Sequence, residues 1–333
     1  MLFTLPYNNL NPDEYVAAFA PYSKLIHSFY FGFEGLLPSH NPHFGEHTLS
    51  EILVRQENTY RFLELCKNKY KTVLCINSIY TQDLIDEKRF AIVKELKPLV
   101  QEFGLGAVNL ASITMAEIIH QEIPELEIQT SCNTYAFLNN THQIWHDRYG
   151  TTVFNLPREA MRTPWLLDKF KETGFTSKCI VNEGCIYGCP GNIEHACSQQ
   201  IESRATLIFC DKPDCRLSDI FKTNFVPPHR LKDFEGRVDI AKIAGRGWNT
   251  QRILNTFLAY KEGNPNTKVS QIIHSRSSRL LAETRDSVIS KDWPKKTLTC
   301  ECKECRTCTV CEKAMAHVLT RENIKADDLR WKI

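Results

Sequence analysis

The sequence predicts a (β/α)8 barrel of the TIM type that carries a cysteine-rich C-terminal extension. Three observations predict it: eight short apolar runs, helical segments between most of them, and polar residues where the runs end. The chain has 333 residues, 42% of them hydrophobic and 24% charged, which suits one large domain with a small appendage. We expect the barrel to span residues 1–290 and the extension to span residues 291–333. A doubly wound open sheet is the alternative, because periodicity does not reveal closure.

The predicted strands are short runs dominated by β-branched and aromatic residues, which pack well on a pleated, buried surface. No Gly-x-Gly-x-x-Gly follows the first run and no phosphate-binding Gly-Lys-Ser/Thr loop occurs, which argues against an open nucleotide-binding sheet. In chain order, the predicted strands are Leu25–Phe31, Thr72–Asn77, Gly106–Leu110, Leu126–Thr130, Thr152–Asn155, Lys178–Asn182, Thr206–Phe209 and Val238–Ile243.

Cap residues predict where the helices between the strands begin. A Thr followed three residues later by Glu can form a capping box, and Pro is favoured in the first helical turn. The predicted starts are Thr48–Glu51 and Thr114–Glu117 for capping boxes, and Asn11–Pro12 and Thr163–Pro164 for proline. The alternation breaks at Ser198–Pro228, which we interpret as an insertion or lid. It breaks again at Trp293–Lys296, after which a short helix is predicted over Ala314–Leu319.

Charge and hydropathy weigh against some classes of function. The 41 basic and 39 acidic residues give a formal net charge of +2, so no broad positive field favours nucleic-acid binding. The mean hydropathy is −0.32 and no long uncharged apolar run occurs, so we expect no membrane span. Residues Met1–Pro12 lack the basic region and apolar core of a secretion signal, so we expect a cytoplasmic protein.

The fourteen cysteines are the most informative feature of the composition. Cys66, Cys75 and Cys132 lie alone in apolar segments and are predicted to be core residues. In a reducing compartment, clustered thiols are better interpreted as metal ligands than as disulfides, and a chain of this length needs no disulfide to hold its core. The other eleven form two groups, which are Cys179, Cys185, Cys189, Cys197, Cys210 and Cys215, and Cys300, Cys302, Cys305, Cys308 and Cys311.

The second group repeats a cysteine at every third position through Cys302, Cys305, Cys308 and Cys311. Three thiolates at this spacing on a tight loop can occupy three corners of a cubane, as in ferredoxins. Glu312 stands where a ferredoxin has proline. The spacing favours an iron–sulfur cluster, with zinc as the alternative metal for these C-terminal cysteines.

The first group is less regular, but its setting also suits a bound metal. Cys185 and Cys189 lie among glycines, which allow the backbone to fold around a centre, and a proline fixes the chain directly after Cys189. His195 follows closely and is a candidate ligand, or a hydrogen-bond donor to a ligand sulfur. An inert glycine-rich turn is the alternative interpretation.

Polar residues at the ends of the predicted strands mark a candidate site, because TIM barrels bind substrates at the carboxyl ends of their strands. Arg158 and Arg246 are predicted to clamp an anion, Glu159 is a candidate general acid or base, and Lys242 lies at the end of the last strand. Asn182 ends the sixth predicted strand and is a candidate cofactor contact. A structural ion pair is the alternative for Arg158 and Glu159.

The chain resembles the collagenase-like U32 peptidase family over about residues 129–260. The matching segments, in the order of the family, are Cys132–Ala136, Phe154–Glu159, Cys179–Cys197 and Val238–Arg246. The resemblance implies an oxygen-independent hydroxylation factor that binds a 4Fe-4S cluster through four cysteines. By its size the chain is similar to the short members of the ubiquinone pathway, which implies a heterodimer with a related subunit.

The resemblance also implies roles for individual residues. Cys185, Cys189 and Cys210 would be cluster ligands, with Cys197 or Cys179 as the fourth, and the residues Arg158, Glu159, Lys242 and Arg246 would line the pocket. The leading hypothesis is therefore an iron–sulfur oxidoreductase, with one or two clusters, that acts on a small anionic organic substrate. Three alternatives stay open: a peptidase-like hydrolase, a non-catalytic electron-transfer or scaffold subunit, and an RNA-modification factor.

Overall fold

Eight parallel strands close into a barrel in which each strand pairs with the next and the last pairs with the first. The computed structural model describes residues 1–33, 48–77, 82–134, 136, 140–192, 217–274, 287–300 and 307–323, with the backbone alone at 82–89 and 217. The predicted (β/α)8 fold is confirmed. The strands are β1 (Leu2–Pro6), β2 (Ile26–Phe31), β3 (Lys71–Ile76), β4 (Ala107–Leu110), β5 (Glu127–Thr130), β6 (Val153–Asn155), β7 (Thr176–Ile180) and β8 (Ile240–Lys242).

Seven of the eight predicted strands match β2 to β8 to within two residues at either end. The exception is Thr206–Phe209, which lies outside the described residues. The eighth strand of the barrel is instead β1, which was not among the predicted strands. Its five residues hold a single β-branched side chain, Thr4, and end in Pro6, which lacks the N–H of a strand residue.

The helices alternate with the strands, and most start where their cap residues predict. Thr48 and Glu51 form the expected capping box, in which the Glu51 backbone N–H donates to Thr48 Oγ1 at 3.3 Å. The box at Thr114 is wrong, because Ser112 caps that helix by accepting from the Met115 N–H. The described helices are α1 (Pro12–Phe19), α2 (Leu49–Cys66), α3 (Gln82–Gln101), α4 (Ile113–Glu122), α5 (Thr141–Tyr149), α6 (Pro164–Lys171), α7 (Thr250–Glu262), α8 (Val269–Ile272), α9 (Lys295–Leu298) and α10 (Val310–Arg321).

The two faces of the sheet differ in polarity. One large apolar core lies between the strands and the helices, and its aromatic rings include Tyr7 stacked on Phe62 at 3.9 Å between ring centroids. A separate, small apolar cluster contains Tyr30, Val73, Cys75 and Ala107, which alternate with members of the large core along β2 to β4. This alternation places the small cluster inside the barrel.

The described part of the C-terminal extension packs against the barrel core. Met315 and Val318 of α10 are buried and belong to the same apolar core as the barrel residues. Trp293, in the predicted boundary segment, is buried against the rings of Phe221 and Phe225 at 5.1 and 4.7 Å. Among the helices of the described segments, none combines the length and the apolar composition needed to cross a membrane.

Candidate functional site

The carboxyl ends of β6, β7 and β8 bring the predicted pocket residues to one mouth of the barrel. β6 is followed by a 3-10 helix over Arg158–Arg162, and β7 is followed by Asn182 and Glu183. β8 ends at Lys242, with Arg246 four residues further along the chain. Because the strands are parallel and adjacent in the barrel, these groups face the same end of the fold.

Arg158 makes three side-chain hydrogen bonds at this mouth. Its Nε donates to Glu183 Oε2 at 3.1 Å, and its Nη1 donates to Asn133 Oδ1 and Asn192 Oδ1, both at 3.0 Å. The side chain of Glu183 is 7% exposed and that of Arg158 is 20% exposed. The acid that pairs with Arg158 is therefore Glu183 and not the neighbouring Glu159. The guanidinium bonds to three separate residues and its donors lie in one plane, so its orientation is fixed.

Burial and charge oppose each other at this pair. Burial disfavours the charged form of Arg158, but the neighbouring groups Cys132, Glu183, Cys185 and Glu159 outweigh it and raise the pKa of Arg158. Burial likewise disfavours ionised Glu183, yet His274, Arg158 and a hydrogen bond from Cys185 lower its pKa to about 2. Both partners are therefore ionised at neutral pH.

Glu159 lies beside this pair in a different environment. Its Oε2 is buried and has no hydrogen-bond partner within the part of the chain that the structure describes. Burial raises the pKa of Glu159, and the charge of Glu183 adds to the effect, while a backbone hydrogen bond and Arg158 act against it. A carboxyl group with a raised pKa and an unpaired oxygen can exchange a proton with a bound molecule.

Lys242 lies inside the barrel mouth, where it is 7% exposed. Its ammonium donates to Asn155 Oδ1 at 3.3 Å and sits 4.4 Å from the ring centroid of Tyr30. Among the described residues, Asn155 is its single hydrogen-bond acceptor, so other N–H groups of the ammonium can meet a ligand. Arg246 lies close enough to Tyr30 to act on its pKa, opposing the rise that burial causes.

Asn182 joins three segments through backbone groups. Its Nδ2 donates to Ala244 O at 2.9 Å and to Ile272 O at 3.0 Å, and its Oδ1 accepts from the Ala244 N–H at 2.7 Å. Both side-chain N–H groups are used, so the predicted contact with a cofactor would have to be made through the oxygen. The His274 backbone N–H donates to Asn182 O, which brings the His274 ring to Glu183, with Nδ1 and Oε1 3.9 Å apart.

The described cysteines divide between the mouth and the core. Cys185 and Cys189 are partly exposed thiols outside any disulfide, in a loop where Gly188 adopts a φ of +65°. Cys132, predicted to be a packing residue, is buried in a small cluster with Ile180 and acts on Arg158 at the mouth. Cys179 belongs instead to the large apolar core, where burial raises the pKa of its thiol, which argues against it as the fourth ligand.

In the extension, Cys300, Cys308 and Cys311 are partly exposed thiols that form no disulfide among the described residues. Burial raises the pKa of Cys311 to about 11, Lys222 lowers it, and Cys308 and Cys300 raise it. Within the described ranges, no three His, Cys, Asp or Glu side chains converge as a metal site. Five predicted site residues lie outside the described residues, and they are His195, Cys197, Cys210, Cys302 and Cys305.

Several residues of the mouth were not among the predicted site residues. Glu183 and Cys132 follow or end strands, so the rule that marks the carboxyl ends of strands could have included them. Asn192 had no signal beyond its position in the glycine-rich loop. No sequence pattern pointed to His274, because its position depends on a backbone pairing with Asn182 and Glu183 across about 90 residues of chain.

Fold and site together define a class: a (β/α)8 barrel protein whose mouth combines thiols, carboxylates and fixed cations. None of the protein-family models matches the chain. The chain is 35% identical over 173 residues to the uncharacterized protease MJ1657 of Methanocaldococcus jannaschii, an alignment that covers 48% of this chain and 51% of that protein. The chain thus spans about half the length of this relative. It also resembles the solved U32 peptidase Mk0906, with a TM-score of 0.46 and 12% identity over 74% of this chain and 94% of that one.

Proposed function

We propose that the chain is an iron–sulfur enzyme of the U32 type that binds a small anionic organic substrate at the barrel mouth. The reaction would be a redox modification such as oxygen-independent hydroxylation. The observation that carries the proposal is the setting of Arg158, which is fixed between carboxylates and the thiols of Cys132 and Cys185. Cysteine binds iron as a thiolate, whose negative charge a guanidinium can balance.

The described thiols of the mouth supply part of the donor set that an iron–sulfur cluster needs. Cys185 and Cys189 would be two of its ligands, since neither forms a disulfide and both lie on a partly exposed loop next to Arg158. Cys132 is a further candidate at the same mouth. Thiolates are the usual ligands of such clusters, and a cluster supplies one-electron transfer when it is bound. Zinc remains the alternative for the C-terminal cysteines, where a second cluster would serve as an electron relay.

Lys242 and Arg246 would bind the anionic group of the substrate. Arg158 is already neutralised by Glu183, so it is better suited to positioning thiols than to clamping an anion. The ammonium of Lys242 is nearly enclosed and has one described acceptor, which strengthens its attraction for an anion because water screens it weakly. The ring of Tyr30 limits where the ammonium can move.

Glu159 would transfer a proton to or from the substrate. Its raised pKa and its buried, unpaired oxygen suit a group that is protonated for part of the cycle. Glu183 is paired with Arg158, and its pKa is lowered. Among the described residues of this mouth, Glu159 is the carboxyl group whose pKa is raised. Two acids in unlike environments can thus take different roles.

The decisive experiment is anaerobic purification with iron, sulfide and zinc quantified per chain. We expect about four irons and four sulfides for one cluster, or about eight of each for two. Cys185→Ala should lose the iron of the mouth, whereas Cys66→Ala should keep it, because Cys66 is a buried thiol of the large core. Zinc without iron in the wild-type protein would rule out the redox reaction.

A peptidase-like hydrolase is the second candidate, because the relative from Methanocaldococcus jannaschii carries the name protease. Cys185 would then be the nucleophile, since it bonds to Glu183, which in turn faces His274. Peptide hydrolysis by the iron-free protein that disappears in Cys185→Ala and persists in Cys66→Ala would favour this candidate.

The heterodimer and the cytoplasmic location implied by the sequence remain proposals, which size determination after co-purification and cell fractionation can test.

A further inference from the structure

The register of the strands places Asn109 in the same interior layer as Lys242. Side chains inside a (β/α)8 barrel form layers of four, and alternate strands contribute the members of one layer. The strand pairings, followed around the barrel, assign Tyr30 of β2, Asn109 of β4, Asn155 of β6 and Lys242 of β8 to one layer. Two contacts agree with this assignment, because Lys242 donates to Asn155 and lies over the ring of Tyr30.

The side chain of Asn109 is buried with an unbonded acceptor. Its chain neighbours Val108 and Leu110 belong to the large core outside the strands, so Asn109 projects into the barrel. Asn109 is 2% exposed, and its Oδ1 has no hydrogen-bond partner in the described part of the chain. Because native proteins leave few buried polar atoms unbonded, such an atom marks a position where a ligand can donate a hydrogen bond.

The other polar members of the layer are already engaged. The Tyr30 hydroxyl donates to a backbone carbonyl at 2.9 Å. Asn155 donates from Nδ2 to another backbone carbonyl at 2.7 Å and accepts from Lys242 through Oδ1. The remaining capacity lies in the ammonium of Lys242, a donor, and in Oδ1 of Asn109, an acceptor. Since β4 and β8 lie on opposite sides of the closed barrel, this donor and this acceptor face each other across its axis.

This layer can be reached from the mouth of the barrel. The next layer toward the carboxyl ends of the strands includes Cys75 and Ser131, whose side chains are small, beside Ile180. Lys242 and Ile180 each keep 7% of their surface exposed, so the layer is not sealed. A small molecule that enters between the strand ends would therefore meet Lys242 and Asn109 together.

We propose that Lys242 and Asn109 form one subsite for a small hydroxycarboxylate. The carboxylate accepts from the ammonium of Lys242, and the hydroxyl donates to Oδ1 of Asn109. A neutral hydroxyl suits this place better than an ammonium group, which the charge of Lys242 would repel. Asn109 thus selects the hydroxylated acid, because an acid without the hydroxyl leaves Oδ1 unbonded. The inference rests on the anion site proposed at Lys242 and does not depend on a bound cluster.

Asn109→Leu tests the inference, because it keeps the approximate size of the side chain and removes the acceptor. Lactate with propionate, and malate with succinate, are pairs of acids that differ by one hydroxyl. Calorimetric titration of the anaerobically purified full chain should show the hydroxylated acid of each pair binding about tenfold more tightly. Asn109→Leu should bind both members equally, with the wild-type Kd for propionate and succinate. Asn255→Leu, at an exposed position of α7, is the matched control and should keep the tenfold preference.

A second readout separates a ligand-binding role of Asn109 from a structural one. Without ligand, Asn109→Leu should unfold at a higher urea concentration than wild type, because it replaces an unbonded buried amide with an apolar side chain. If Asn109→Leu does not fold, Asn109→Thr and Asn109→Val replace it, since they have nearly the same shape and only Thr retains a hydrogen-bonding group. We expect Asn109→Thr to keep part of the preference and Asn109→Val to lose it.

Lys242→Met distinguishes failure of the inference from failure of the proposed anion site. We expect this variant to lose binding of all four acids. Equal wild-type affinities within each pair, or a preference that the Asn109 variants keep, would overturn the inference and leave the anion site standing. A wild-type protein that binds none of the acids, or binding that Lys242→Met retains, would overturn the anion site as well.

Discussion

Lys178 should make the stability of the protein depend on pH just above neutrality. Its side chain points into the barrel, is 1% exposed, and donates to Gln129 Oε1 at 2.8 Å. Burial and the nearby charge of Lys242 lower the pKa of Lys178 from its ordinary 10.5 to about 7. Between these two values the unfolded chain holds a proton that the folded chain has released.

The free energy of unfolding should therefore rise with pH across this window. One pKa unit corresponds to about 1.4 kcal/mol, so the lowering of the pKa of Lys178 from 10.5 to about 7 changes the free energy of unfolding by about 5 kcal/mol over the whole titration. From pH 7 to pH 8.5 the contribution of Lys178 should grow by about 1.5 kcal/mol, since the residue is still half protonated in the folded protein at pH 7. Below pH 7 both states are protonated and the slope disappears.

Lys178→Met isolates this contribution. Urea unfolding of wild type and variant at pH 7.0, 7.5, 8.0 and 8.5 should show a steeper rise in the wild type by the amount given above. The variant leaves Gln129 Oε1 without its donor, which shifts all its values by a constant of about 1–3 kcal/mol. Lys24→Met removes an exposed lysine and should keep the wild-type slope. Equal slopes in wild type and Lys178→Met would refute the reasoning.

Three further substitutions test the packing around the mouth and the helix caps. Gly245→Ala should destabilise the protein by about 2 kcal/mol or more, because a Cβ there would lie 2.5 Å from the Trp248 ring at a φ of +136°. Thermal unfolding of this variant is compared with that of Gly236→Ala, whose Cβ would meet no atom within 4 Å, so the difference in stability reports the steric clash. Asn182→Ala should cost about 3 kcal/mol in urea unfolding, since it leaves the backbone N–H and O of Ala244 and the O of Ile272 unbonded, and a loss under 1 kcal/mol would contradict that role. Thr48→Ala should cost about 1 kcal/mol through loss of the capping box, with no change in metal content, and unfolding equal to wild type would count against the cap.

The sequence predicted the barrel better than it predicted the site. Apolar runs located β2 to β8 because each strand carries buried apolar or β-branched residues, even where polar residues such as Gln129 and Lys178 interrupt the run. The same rule overlooked β1, which is short and ends in Pro6. Strand-end polarity correctly located the mouth, since all residues that follow parallel strands emerge at one end of a barrel.

Pairings within the mouth could not be predicted from the sequence in the same way. Arg158 is adjacent to Glu159 in the chain, yet it bonds to Glu183 from the next strand, and only the three-dimensional arrangement decides between them. Cys132 was predicted to be a core residue, and it is buried beside Ile180, but it follows the end of β5 and acts on Arg158. Local composition does not reveal the direction in which such a side chain points.

The two interior lysines show how the barrel confines positive charge to its mouth. Register places Ile180 beside Lys242, so Lys178 lies one inward layer closer to the amino ends of the strands. Gln129 accepts from Lys178 and donates to Glu127, which pairs with Lys71, so a hydrogen-bonded chain fixes the lower amine. Burial and the neighbouring charge of Lys242 together lower the pKa of Lys178, so the lower amine loses its proton more readily than an exposed lysine does. This arrangement costs stability at neutral pH, which a barrel filled with apolar residues would not lose. An anion bound at Lys242 would offset the repulsion and favour proton uptake by Lys178, so proton uptake on binding should vanish in Lys178→Met.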